Sequence, residues 1–291
     1  MKYGMNLLLW TDNVTEEHRP LMEQLKRIGF DGVEIPIFDA NPDKYAALGV
    51  WLDDVGLERT AVTCRGPQDN PISSDAKVRA AGVAANRVVL ECCQAGGMKL
   101  LCGPYHSALG VFSGKGPTAD EWKWGVESMR ATAEYAQVCG VTLAVEYLNR
   151  FECYLLTCVD DLVRFVREVN HPHCRMMYDT FHANIEEKSV REAIRACADV
   201  MVHVHVSEND RGTPGEGHVP WRETFETLRE VGYDGWLMIE AFGLALPALA
   251  AATKIWRRMF ADELQLARDG LAFMKAQWAA AAGGTPNPPR P

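Results

Sequence analysis

Eight short apolar runs, each followed by a stretch long enough for a helix, constrain this chain more than any other feature. The runs lie at 4–10, 32–37, 60–64, 99–103, 142–147, 174–180, 200–207 and 236–241. Helical patterns follow them at 15–29, 41–55, 75–96, 118–139, 159–170, 189–198, 221–231 and 247–277. Gly29, Gly56, Gly140 and Gly232 stand where a left-handed cap would end a helix before the next run. Strands that are nearly all apolar and alternate with helices belong to a parallel sheet covered on both faces. Eight such units favour closure into a barrel. An open doubly wound sheet usually carries a glycine-rich phosphate loop after its first strand, and LWTDN at 9–13 has no such pattern. The expectation is an α/β protein, a single (β/α)8 TIM barrel over 1–278. The alanine-, glycine- and proline-rich tail at 279–291 is expected to be disordered.

The chain of 291 residues is 47% hydrophobic, enough for one large core at a length common among such barrels. No run approaches the ~18 consecutive apolar residues that mark a bilayer span. The segment following Met1 enters the first apolar run without a signal-peptide pattern, so a cytoplasmic location is expected. Nine cysteines, odd in number and without a paired CxxC, suit reduced thiols better than a disulfide framework. A net charge of −9 argues against a nucleic-acid surface, which needs a basic face.

Barrels of this kind carry their chemistry where the strands end and the following loops begin. Strand five closes on Glu146, strand six on Asp179 and strand eight on Glu240, while strand seven carries His203 and His205. Taken singly, Asp179 could merely cap a helix, and a strand histidine is more often a hydrogen-bonded core residue. Taken together, three carboxylates meeting at one barrel mouth repel one another unless a cation lies between them. Glu146, Asp179, His205 and Glu240 are therefore expected to bind a divalent metal. Three oxygen donors and one imidazole suit an octahedral ion with open positions, Mn²⁺ first, with Mg²⁺ or Co²⁺ as alternatives. His203 shares the face of His205 one layer deeper, as a partner behind the ligands or as core.

Glu152, His182 and Arg211 lie in the loops beyond these strands. Each could be an ordinary solvated loop residue; around a metal they read as donors and acceptors for a polyhydroxylated substrate.

The stretches EYLNRFE (146–152), YDTFHANIEE (178–187), PGEGHVPW (214–221) and GYDG (232–235) followed by Glu240 resemble the ketose 3-epimerases. These include the D-tagatose, D-psicose and L-ribulose enzymes among the xylose-isomerase-like barrels, and the resemblance runs from the first strand to the last helix. It implies metal ligation by Glu146, Asp179, His205 and Glu240, acid–base roles for Glu146 and Glu240, and substrate hydroxyls held by Glu152, His182 and Arg211. It also implies a small ketose as substrate and assembly as a homodimer or homotetramer. The loops at 65–70 and 104–110 depart from the family pattern, and they are expected to face the distal end of the sugar.

Inversion at C3 requires a proton to leave one face and another to arrive on the opposite face, through an enediolate. Two carboxyls on opposite sides of the sugar meet that need, and their roles exchange with reaction direction. Competing readings are an aldose–ketose or hydroxypyruvate-type isomerase, an inosose dehydratase, a DNA-repair endonuclease and a non-catalytic sugar-binding barrel. The endonuclease would need more histidines and a basic groove; this acidic chain has eight histidines.

Overall fold

A computed structural model describes residues 1–282. Eight parallel strands close into one barrel in sequence order. They are β1 (Lys2–Asn6), β2 (Gly32–Pro36), β3 (Glu58–Val62), β4 (Leu100–Gly103), β5 (Thr142–Val145), β6 (Cys174–Asp179), β7 (Met201–Val206) and β8 (Trp236–Ile239). The helices are α1 (Arg19–Ile28), α2 (Pro42–Val55), α3 (Ala76–Ala95), α4 (Ala119–Cys139), α5 (Val159–Val169), α6 (Thr180–Glu186), α7 (Val190–Cys197), α8 (Trp221–Glu230), α9 (Pro247–Thr253) and α10 (Glu263–Ala280). No helix among the described residues is long and apolar enough to cross a membrane.

The main core lies between the barrel wall and its jacket of helices, filled by residues such as Met5, Val33, Ile35, Leu101, Leu143, Val145, Val204 and Leu237. Alternation along the strands turns the opposite set inward. At the inner floor, Gly4 yields its space to Met238: a Cβ there would lie 2.5 Å from the Met238 Cε. Above it stands a layer of polar side chains from Asn6, Glu34, Thr60 and His203, all buried.

Three local departures from the sequence reading have physical causes. The first apolar run predicts a strand over 4–10, but β1 stops at Asn6. There the Asn6 side chain accepts the Leu8 N–H at 2.8 Å and opens a 3₁₀ turn over Leu7–Leu9. The long helix expected at 247–277 is two helices. Lys254 adopts a left-handed φ of 63° and ends α9, and Asp262 starts α10 by accepting the Gln265 N–H at 2.8 Å. The third is α6, which the sequence reading leaves as loop; Asp179 nucleates it, as described below. Gly29, Gly56 and Gly140 cap their helices in the left-handed conformation, whereas Gly232 is left-handed one residue past the cap of α8. Helix α10 continues to Ala280, and positions 283–291 of the expected tail lie outside the described residues.

Candidate active site

Strands β5 to β8 bring Glu146, Asp179, His205 and Glu240 to one point. Parallel pairing sets the level. Asp179 is in register with His205, and the Glu146 and Glu240 amides extend the ladder to the Gly103 and Val206 carbonyls at 3.2 Å each. One ligand atom from each of the four lies within 4.8 Å of the others, and all four residues are buried. Asp179 divides its two oxygens between a helix cap and the cluster. Its Oδ1 accepts the Phe181 and His182 amides at 2.6 and 3.1 Å, starting α6. Its Oδ2 is left facing the cluster, 3.6 Å from His205 Nδ1.

The chemistry of this donor set fits a divalent cation. His205 Nε2 lies 2.8 Å from Glu34 Oε1, so it donates its proton there. In the neutral ring Nδ1 then turns a lone pair toward Glu240 Oε1 at 3.3 Å, and it is a buried atom without a hydrogen-bond partner. A lone pair facing carboxylates is repulsive unless a positive charge stands between them. The protonation preferences carry the same signature. Burial pushes the Glu146 carboxyl well above its usual range, and the Glu240 and Asp179 charges add to it. For Asp179 burial acts in the same direction, but His182, Arg211 and His205 outweigh it and hold the carboxyl low. For His205, burial disfavours charge, yet Glu34 and Glu240 prevail and favour a cation at the ring. Oxygen-rich sets with one imidazole suit Mg²⁺, Mn²⁺ or Co²⁺.

Arg211 closes one side. Its Nη1 donates to Glu240 Oε2 at 2.5 Å and to Ser207 Oγ at 2.9 Å, and lies 3.4 Å from Asp179 Oδ2. The guanidinium is packed against the Phe181 ring at 3.7 Å and the Phe242 ring at 4.9 Å. Its backbone is left-handed, with φ 63°, a conformation that costs a non-glycine residue roughly 1 kcal/mol or more. The loop holds it there: the Arg211 amide donates to the Glu208 carbonyl, and the Phe242 amide to the Arg211 carbonyl, at 2.9 and 3.0 Å.

His182 lies beside this group. Its Nδ1 accepts the Asn149 amide at 3.0 Å, and its Nε2 lies 3.5 Å from Glu146 Oε1 and 3.2 Å from Arg211 Nη2. Burial lowers the pKa of this imidazole. Glu152 joins through Asn149, whose Nδ2 donates to Glu152 Oε1 at 2.9 Å. All seven residues singled out in the sequence therefore meet in one network.

Three residues of that network were not singled out. Asn149 stands inside EYLNRFE and orients both Glu152 and His182. Glu208, buried, organises the loop that carries Arg211 by accepting four N–H groups. Glu34 lies within β2, not at its end, so a search for the polar residue closing each strand passes over it; its inward phase was the available signal. His203 lies behind the cluster, with Nε2 2.9 Å from Glu34 Oε2. The two departing loops are joined to each other. The Leu109 amide donates to the Arg65 carbonyl at 2.9 Å, and the Ala108 amide to Asn70 Oδ1 at 3.0 Å.

Comparison with known proteins gives this geometry a family. Residues 22–277 match the family described as the xylose isomerase-like TIM barrel. The chain is 32% identical over 284 residues to a D-psicose 3-epimerase of Agrobacterium fabrum, covering 94% of this chain and 98% of that protein. It is also 32% identical over 278 residues to an L-ribulose 3-epimerase of Mesorhizobium japonicum, covering 94% and 93%. Among solved structures, the D-allulose 3-epimerase of Methylomonas sp. in complex with D-allulose superposes with a TM-score of 0.90 at 28% identity, covering 95% of this chain and 97% of that one. The chain belongs to the xylose isomerase-like TIM barrel family and, within it, to the ketose 3-epimerases.

Proposed function

We propose that this enzyme interconverts free ketoses at C3 by a two-glutamate mechanism, with substrates of the D-tagatose/D-sorbose, D-fructose/D-psicose and L-ribulose type. The observation that carries this reading is the placement of Glu146 and Glu240. They come from β5 and β8, with β6 and β7 between them, and converge on one cluster from different sides. A sugar lying across that cluster has a carboxyl on each face.

Glu146, Asp179, His205 and Glu240 would hold the ion, Mn²⁺ in preference to Mg²⁺ or Co²⁺. When bound, a divalent ion there supplies electrophilic polarisation of the ketose carbonyl and charge stabilisation for the enediolate. One glutamate takes the C3 proton and the other delivers a proton to the opposite face; the epimer reverses their roles. Arg211, with His182 and Glu152, holds substrate hydroxyls, and Arg211 also orients Glu240 through their 2.5 Å hydrogen bond. Packing of Phe181 and Phe242 against the guanidinium keeps water from it and fixes its plane. The same reading has the enzyme acting in the cytoplasm as a homodimer or homotetramer; nine free cysteines agree with a reducing compartment.

The test is to strip the protein of metal, restore Mn²⁺, and follow D-tagatose, D-fructose and L-ribulose in D₂O by NMR. Metal-dependent formation of the C3 epimer with deuterium at C3 is expected. Deuterium at C1 or C2 with an aldose as product would replace the epimerase reading by that of an aldose–ketose isomerase.

A further inference from the structure

Glu34 lies below the cluster, fully enclosed, and receives donors from four other strands. Asn6 Nδ2 of β1 lies 2.9 Å from Oε1, and Thr60 Oγ1 of β3 lies 2.8 Å from Oε2. Cys102 Sγ of β4 lies 3.1 Å from Oε2; His203 Nε2 of β7 lies 2.9 Å from the same oxygen, though not aligned as a hydrogen-bond donor. His205 Nε2 completes the set at 2.8 Å from Oε1. An ionised carboxylate is costly to bury unless its oxygens are satisfied, and here both are.

The directions of these bonds are fixed by their neighbours. Asn6 cannot turn its amide over, because its Oδ1 already accepts the Leu8 N–H at 2.8 Å. Its Nδ2 must therefore donate to Glu34. Glu34 is then an acceptor held from several sides, and only a protonated Nε2 of His205 can meet it. An imidazole that is neutral and protonated at Nε2 has its one lone pair at Nδ1. That atom faces Asp179 Oδ2 and Glu240 Oε1.

From this geometry we infer that Glu34 is the positioning residue of the metal centre: it selects the Nε2–H tautomer of His205, fixes its ring plane and leaves Nδ1 as the ligand. Ligating histidines commonly rely on such a partner, and its loss typically weakens metal binding about 10–100-fold. The inference rests on the metal reading of the Glu146–Asp179–His205–Glu240 cluster. Glu34, Cys102, His203 and His205 also place one donor atom each within 4.8 Å of one another, so a second ion is the rival arrangement. Engagement of Glu34 by Asn6 and Thr60 favours the supporting role.

The test titrates Mn²⁺ calorimetrically into the metal-stripped full chain and into Glu34→Gln, whose side chain keeps the size of the original. One ion per wild-type chain is expected, and binding about 10–100-fold weaker in a Glu34→Gln protein that retains its circular dichroism. A residue that only fills the core would alter the melting temperature and leave Mn²⁺ affinity in place; that result overturns the inference. So does a wild-type stoichiometry of two that falls to one in Cys102→Ala, because Glu34 would then be a ligand itself. No Mn²⁺ uptake by the wild type would be a failure of the metal reading, and the positioning role would fall with it. Nitrogen-15 NMR of histidine-labelled wild type loaded with Zn²⁺ needs no variant, and decides the matter even if Glu34→Gln does not fold. His205 should carry its proton on Nε2 and its metal shift on Nδ1. A proton on Nδ1 of the loaded protein refutes the proposal.

Discussion

Replacing Glu208 by Gln changes one atom, and the structure gives the size of the consequence. Glu208 Oε1 accepts the Asn209 and Val219 amides at 3.1 and 3.2 Å, and Oε2 accepts the Gly215 amide and Trp221 Nε1 at 2.8 Å each. Four donors thus meet four acceptor positions. A glutamine has an acceptor oxygen for one pair only and sets its NH₂ against the other, whichever way it is turned. Two N–H groups lose their partner, at about 1–3 kcal/mol each where buried. Residues 215–218 are exposed and can relax toward water, so the lower half of the sum applies, about 2–4 kcal/mol. Burial pushes the Glu208 carboxyl up, but these four donors prevail and its folded pKa lies below the usual value. A depressed pKa contributes stability that is present above the unfolded value, about 4.3, and is lost as pH falls through the folded value. Urea denaturation of both proteins should show the full gap between pH 5 and 7 and a narrowing gap below about pH 4. Because the Arg211 amide is held by the Glu208 carbonyl at 2.9 Å, kcat/KM should fall as well. A gap under about 1 kcal/mol at pH 7, with kcat/KM intact, would refute the assignment of Glu208 as the organiser of this loop.

Four shorter expectations accompany it. Glu146→Gln and Glu240→Gln should each abolish C3 epimerisation while leaving circular dichroism unchanged; near-wild-type turnover in either removes that residue from the proton pair. Mn²⁺ at a hundredfold excess over its Kd should stabilise the metal-stripped protein by about 2.7 kcal/mol in thermal unfolding, and an unmoved transition would deny the site. Arg211→Gln should lower kcat/KM yet tighten Mn²⁺ binding, since it takes a cation away from Asp179 and Glu240; weaker binding in calorimetry would contradict this. Gly103→Ala places a Cβ 2.2 Å from the Thr63 carbonyl oxygen at a φ of +119°, so a loss of about 2–5 kcal/mol is expected in urea unfolding.

How much of this was legible in the sequence depended on the periodicity each part obeys. Strand-terminal Glu146, Asp179 and Glu240 could be found because a closed parallel barrel forces strand ends to one rim, so fold and site are read from the same pattern. Boundaries failed where a side chain competes with the backbone. Asn6 takes the Leu8 amide and ends β1 inside an apolar run that reads as strand to residue 10. Lys254 ends α9 without glycine or proline, the usual stop signals, to announce it. Glu208 was hidden for a different reason. Its partners lie one to thirteen residues downstream in an irregular loop, where no period relates a buried acceptor to its donors.

The barrel's two halves contribute unlike parts to the same centre. Strands β5 to β8 carry the four candidate ligands at or beside their C-terminal ends, while β1 to β4 send Asn6, Glu34, Thr60 and Cys102 inward one layer lower. Only β7 supplies both layers, through His203 and His205, because residues two apart share a face. The centre is therefore braced across the barrel by His205: one nitrogen belongs to the carboxylates of the second half and the other to Glu34 of the first. This arrangement separates two properties that usually change together. A side chain that joins the cluster only indirectly, as Glu152 does through Asn149, can vary what the sugar meets without altering the support of the ion. Side chains below the cluster can vary the hold on the ion without touching the sugar. Substitutions in the second layer should accordingly change the Mn²⁺ concentration needed for half-maximal activity while leaving the ranking of ketoses at saturating Mn²⁺ unchanged. A second-layer substitution that reorders the substrates would show the two layers to be coupled through more than His205.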